Sequence, residues 1–188
     1  MSQIKAGNIS KNLFVIFKDQ PQKVIKTEFM SPGKGSAIMR VRFQNLQSGT
    51  VSDFTYKTNE LVDVADVDKL EMQYLYQDNE EYIFMDPRNY EQVSVPVKLL
   101  DGKEGYLIPE IKVIVLMYEE APIGVLFPKN VTLKVTLSED AVAGNRVNAP
   151  KKPVTLETGI SVQVPLFIKT GDLVMIDTES GAYLSRSN

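Results

Sequence analysis

Apolar and polar residues alternate in short runs along this 188-residue chain. Across 37–43, Ala37, Met39, Val41 and Phe43 fall on one side, and Ile38, Arg40 and Arg42 on the other. Across 70–76, Leu70, Met72, Tyr74 and Tyr76 share a side. A two-residue period is that of a half-buried strand. The same reading predicts strands at 13–18, 24–30, 51–56, 82–85, 112–118, 131–137, 160–164 and 173–177, with a short helical turn at 96–100. Turn-forming clusters separate them: Asp19-Gln20-Pro21, Gln47-Ser48-Gly49, Gln77-Asp78-Asn79, Asp86-Pro87-Arg88-Asn89 and Thr178-Glu179-Ser180-Gly181. Helical periodicity is almost absent.

Many short strands with frequent turns predict an all-β protein built of small barrels. Two stretches interrupt the pattern. Residues 59–68 are rich in acids and poor in large apolar side chains, and Phe127-Pro128-Lys129-Asn130 sits between two strands. The expected units are therefore 1–64, 65–128 and 129–188. Each has about sixty residues, a size at which a five- or six-stranded barrel can just sustain a core. No close internal repeat is visible.

Charge sharpens this division. Residues 1–64 carry 9 Lys and Arg against 5 Asp and Glu, a net of +4. Residues 65–128 carry 5 against 13, a net of −8, and residues 129–188 carry 7 against 6, a net of +1. The overall charge of −3 thus hides a basic head and an acidic middle. A polyanion would attract the first and repel the second. The chain has no cysteine and no histidine. It therefore lacks thiol nucleophiles, disulfides, the commonest general base and the commonest transition-metal ligand. That argues against an enzyme and against a metal site. The longest apolar stretches, 13–17 and 113–118, are too short to span a bilayer as a helix. No signal peptide is legible, so a cytoplasmic protein without a membrane partner is expected.

The segment of greatest chemical interest is Ser31-Pro32-Gly33-Lys34-Gly35-Ser36, between two expected strands. Pro32 stiffens the entry, while Gly33 and Gly35 strip side-chain bulk from around Lys34. A lysine at such a tip can enter a narrow anionic space. The pattern is not a phosphate-binding P-loop: Gly35 follows the lysine, Glu28 stands where the first glycine belongs, and a strand follows rather than a helix. Arg40 and Arg42 lie on one strand face near this loop and could grip a phosphate backbone.

Three segments read together resemble the elongation factor P family of translation factors. They are Pro32-Gly33-Lys34-Gly35 followed by Ala37 and Arg40-Val41; Lys152-Pro153 through Leu156 with Thr158-Gly159 and Val164-Pro165-Leu166-Phe167; and the terminal Gly181, Tyr183 and Ser185-Arg186. Asn45-Leu46 with Gly49, and Met72-Gln73-Tyr74-Leu75-Tyr76, belong to the same pattern. The resemblance runs the length of the chain. It implies an SH3-like first barrel followed by two OB-fold barrels, arranged in an L shape. It implies a monomer that binds the ribosome between the peptidyl-tRNA and exit sites, touching peptidyl-site tRNA and ribosomal RNA. It also implies that the factor relieves stalling at consecutive prolines.

In that family Lys34 corresponds to a lysine often extended by a modifying enzyme with a beta-lysyl or another amine-bearing group; no other cofactor is implied. Gly144 and Asn145 correspond to a loop near the exit-site codon, and Tyr183 and Arg186 to RNA-contacting residues. Two departures stand out. Arg146-Val147-Asn148-Ala149 replaces a small, Thr- and Gly-rich stretch, and Ser31 and Ser36 flank the tip where bulkier residues often stand. The competing readings are a generic single-stranded nucleic-acid binder and a Schiff-base enzyme using Lys34. The acidic middle argues against the first. A glycine-flanked tip without a desolvated pocket argues against the second.

Overall fold

The computed structural model describes residues 2–31, 35–46, 48–138 and 151–187. Among these the only helical elements are three short 3-10 turns, Ala6–Asn8, Val97–Leu100 and Glu104–Tyr106. All else that is regular is strand, in three antiparallel sheets. The fold is all-β, and the turn expected at 96–100 is present.

The first sheet contains β1 (Ser2–Lys5), β2 (Phe14–Phe17), β3 (Gln20–Met30), β4 (Ile38–Asn45), β5 (Val51–Lys57) and β6 (Leu61–Val64), in the order β1-β6-β2-β3-β4-β5. Its core holds Val15, Val24, Met39, Val41, Phe43, Tyr56 and Val62. The expected alternation across 37–43 is met: Met39, Val41 and Phe43 are buried and Arg40 and Arg42 are exposed. Phe43 is fully buried and stacks on Phe17 at 5.1 Å between ring centroids. Burying a phenyl ring of this size contributes roughly 1.5–3 kcal/mol.

Strand β6 lies within the acidic stretch 59–68. Four of those residues pair with β1, and Val15 pairs with Val64. Val62 is buried while the Asp63 carboxylate accepts a hydrogen bond from Gln3 Nε2 at 2.8 Å.

The second sheet contains β7 (Asp68–Asp78), β8 (Glu81–Met85), β9 (Gln92–Pro96), β10 (Lys112–Tyr118) and β11 (Ala121–Leu126), in the order β11-β10-β7-β8-β9. The third contains β12 (Asn130–Ser138), β13 (Lys151–Leu156), β14 (Ser161–Pro165), β15 (Leu173–Asp177) and β16 (Tyr183–Ser187), in the order β14-β13-β12-β15-β16. In both, the first strand is central, the next two or the last two lie to either side, and the strand order is the same. No internal repeat in the sequence announces this.

A correction concerns 70–76. Met72 and Tyr74 are buried as expected, but Tyr76 is 53% exposed. The register slips between Tyr74 and Tyr76, which pair with the consecutive residues Phe84 and Ile83. This bulge inserts Leu75 and reverses the side on which Tyr76 emerges.

By density of contacts the chain divides into two compact units, Met1–Lys69 with Leu116–Gly124, and Leu70–Val115 with Val125–Asn188. Within the second unit, Tyr106, Ile108 and Ile111 pack against the core of the third sheet. That core is formed by Leu133, Val135, Leu156, Val164, Ile168, Val174 and Ile176 among others. The packing there is close: a Cβ on Gly105 would lie 2.3 Å from Ile160 Cγ2. Among the described residues no helix is long and apolar enough to cross a membrane.

Candidate nucleic-acid interface

Strands β3 and β4 form a long hairpin whose last registered pair is Met30 with Ile38. Residues 31–37 therefore connect its arms. Pro32, Gly33 and Lys34 lie outside the described residues. Gly35 is described and has a φ of +128°, a conformation that side-chain-bearing residues rarely adopt. Ser31, Gly35 and Ser36 are all exposed, as are Phe29 and Met30 below them.

The outer face of this hairpin is set by one irregularity. The register shifts between Val24 and Lys26, so Val24 pairs with Phe43 while Lys26 pairs with Arg42 and Glu28 with Arg40. Had the strand paired regularly, without this bulge, Lys26 and Glu28 would have emerged on the core side with Val24. The bulge instead places them beside the arginines. From the other side, β5 sets Asp53 opposite Arg42 and Thr55 opposite Arg40. Lys26, Glu28, Arg40, Arg42 and Asp53 then line a shallow cleft of about 300 Å³.

Arg40 and Arg42 thus share a face as expected, with acidic neighbours that strand periodicity alone did not place there. Arg42 donates from Nε to Asp53 Oδ1 at 2.8 Å and from Nη2 to Oδ2 at 3.0 Å. Lys26 Nζ sits 2.5 Å from Glu28 Oε1, whereas Arg40 Nη1 stands 3.9 Å from Glu28 Oε2. The hydrogen bond from Lys26 and its charge hold the Glu28 carboxyl below its usual pKa; that from Arg42 does the same for Asp53. In return the Asp53 hydrogen bond raises the Arg42 guanidinium. Three cations face two carboxylates, and Arg40 has the longest ion-pair distance of the set.

At the other end of the chain, Tyr183 and Arg186 lie on β16, at the border of the third sheet. They are three residues apart and would ordinarily point to opposite faces. The register shift between Met175 and Ile176 pairs Tyr183 with Ile176 and Arg186 with Val174. Both residues thereby come to the side of those two buried partners. Tyr183 is half-buried and packs against the third core, and Arg186 is exposed. The turn preceding β16 is held by Asp177. Its Oδ1 accepts from the backbone N–H groups of Glu179 and Ser180 and from Ser180 Oγ. Gly181 completes it with φ +69°. Gly144 and Asn145 lie outside the described residues.

A second cleft, within the second unit, is lined by Tyr74, Tyr82, Glu104, Glu157 and Thr158 among others. Its lining includes two carboxylates and no cation, the wrong sign for a phosphate backbone. Among the described residues, no three acidic side chains converge as a metal site would require.

The described residues thus form three sheets, the first carrying a long hairpin with a mostly cationic outer face. Comparison with known proteins gives the family. Three family models match in succession: an elongation factor P KOW-like domain over residues 5–62, an elongation factor P OB domain over 67–125, and an elongation factor P C-terminal domain over 131–186. Relatives described as elongation factor P include that of Aquifex aeolicus, 36% identical over 98% of this chain and 96% of its own. That of Treponema denticola is 38% identical over 98% and 99%. That of Salinispora arenicola is 42% identical over 87% and 89%. A solved structure titled eukaryotic translation initiation factor 5A from Methanococcus jannaschii shares the fold, with a TM-score of 0.53 and 24% identity over 65% of this chain and 88% of that one. The chain belongs to the elongation factor P family. Its first unit is SH3-like (KOW-like) and an OB domain follows.

Proposed function

We propose that this translation elongation factor binds the ribosome between the peptidyl-tRNA and exit sites and promotes peptide-bond formation at consecutive prolines. In this reading it holds the acceptor end of peptidyl-site tRNA in a reactive position, and Lys34 is the group that does so. The observation that carries the proposal is the β3–β4 hairpin. It closes through a glycine of positive φ at Gly35 and presents Arg40, Arg42 and Lys26 along one outer face. A cationic face leading to a lysine tip suits an RNA backbone that ends at a reaction centre.

Proline reacts poorly because its nitrogen is secondary and its ring restricts both itself and the residue before it. Holding reactants in attack geometry is worth up to ~7–11 kcal/mol in favourable cases, so a small part of that relieves a stall. The factor then supplies no acid or base and is not an enzyme; the chemistry stays with the ribosome. Covalent extension of Lys34 by an amine-bearing group would lengthen the reach of the tip. Tyr183, Arg186, Gly144 and Asn145 would meet RNA at the far end of the chain.

The test is reconstituted synthesis of a reporter with and without a triple-proline stretch. Lys34→Ala should leave the fold and most ribosome binding intact and abolish most of the rescue. Lys34→Arg should also fail, since a planar guanidinium changes reach and cannot take a lysine-specific extension. Full rescue by Lys34→Ala would sink the proposal.

A further inference from the structure

The cationic face of the first sheet carries its own anions. Asp53 engages Arg42 through two parallel hydrogen bonds of 2.8 and 3.0 Å, the geometry in which a guanidinium also takes a phosphate. Glu28 takes Lys26 at 2.5 Å. Only Arg40 is loosely held, at 3.9 Å from Glu28. These pairs are half-exposed: the Arg42 and Asp53 side chains are 49% and 51% accessible. Their partners can therefore be exchanged without opening a core. The arrangement is not incidental to the strands, because the inserted Ile25 turns Lys26 and Glu28 outward together.

We propose that Glu28 and Asp53 are built-in counter-ions that occupy the phosphate-binding positions of Lys26 and Arg42 and so set the selectivity of this face for its RNA. This rests on the reading above that the face meets an RNA backbone. Arg40 makes the first contact. A second and third phosphate must then displace carboxylates, which costs affinity wherever the RNA does not hold several phosphates in the right places at once. An arbitrary duplex touching the face at one point gains one cation. A docked surface that presents a fixed row of phosphates gains three. The carboxylates thus suppress non-specific binding more than they weaken the specific complex.

The experiment measures two Kd values for each variant across a salt series. One is for a fluorescein-labelled RNA duplex of unrelated sequence, by anisotropy; the other is for ribosomes. Asp53→Asn should tighten duplex binding about two- to fivefold, the range spanned by exposed ion pairs. It should also steepen the salt dependence by about one counterion. Glu28→Gln combined with Asp53→Asn should do more, and ribosome affinity should rise less than duplex affinity. Asp63→Asn, on β6 and bonded to Gln3, controls for the general loss of negative charge. If Asn at 53 loosens the strand, Asp53→Thr, a good strand former at an exposed position, takes its place.

Duplex binding no stronger than in Asp63→Asn, or an equal gain for duplex and ribosome, would overturn the counter-ion role. Arg40→Glu separates this from the underlying reading. If it weakens ribosome binding while the carboxylate variants change nothing, only the counter-ion inference falls. If it leaves ribosome binding untouched, the face itself is misread.

Discussion

Two arginine–aspartate pairs in this protein have nearly the same hydrogen bonds and opposite characters. On the first sheet, Arg42 and Asp53 join two neighbouring strands, and both side chains are about half exposed. At the β8–β9 turn, Arg88 donates to Asp86 from Nε at 3.0 Å and from Nη2 at 2.6 Å, and its backbone N–H adds a third bond at 2.9 Å. There the guanidinium is 70% exposed but the carboxylate only 5%. The backbone of Asp86 is also committed: its N–H donates to Glu91 and its carbonyl accepts from Tyr90, which turns with φ +62°. Asp86 is therefore a structural acid that organises a five-residue turn, with Arg88 as its cover. Among the described residues, Asp53 accepts side-chain hydrogen bonds from its arginine alone. Exposure of the acid, rather than the presence of the pair, decides whether an arginine is available to a partner.

The largest effect expected from this contrast is on binding. Arg40→Glu with Arg42→Glu should weaken ribosome association on the order of tenfold or more and flatten its salt dependence by about two counterions. Arg88→Glu should leave both unchanged. Equal losses from the two sites, in a sedimentation assay across a salt series, would break the comparison.

Next comes stability. Asp86→Ala should lower Tm by several degrees, since the freed N–H groups of a turn with a buried acid lose their acceptor. Asp53→Ala should lower it much less, as an exposed pair does. Thermal unfolding by circular dichroism decides; a larger fall for Asp53→Ala would reverse the assignment.

The smallest effect lies in acid. The hydrogen bonds from Arg88, side chain first and then backbone, hold the Asp86 carboxyl below its ordinary 3.8. A depressed folded pKa contributes stability that is fully present above the unfolded value and is lost as pH falls through the folded one. Stability should therefore decline from about pH 4 downward, and Asp86→Asn should flatten that limb of a urea-midpoint profile. An unchanged limb would show that the pair is not what acid breaks.

Much of this protein is readable in its residue order. The two-residue period, the turn clusters and the scarcity of helical pattern determine an all-β chain. The strands at 112–118 and 173–177 fall on β10 and β15 as expected. Segment order gives the family, and the glycines around Lys34 mark the loop of interest. Strands such as β1, β6 and β11 carry weaker signals because they are short and only partly covered, so their patterning is diluted.

What only the tertiary structure decided is parity. Alternation along a strand is local, but a bulge is defined by pairing with a neighbouring strand, and one inserted residue exchanges the two faces from there on. Such shifts occur at Val24/Lys26, Tyr74/Tyr76 and Met175/Ile176. The first brings Lys26 and Glu28 to the arginine face. The second turns Tyr76 outward, and the third sets Tyr183 and Arg186 on one side. No local pattern could assign these residues to their faces, because the hydrogen bonds that fix the count belong to two strands at once.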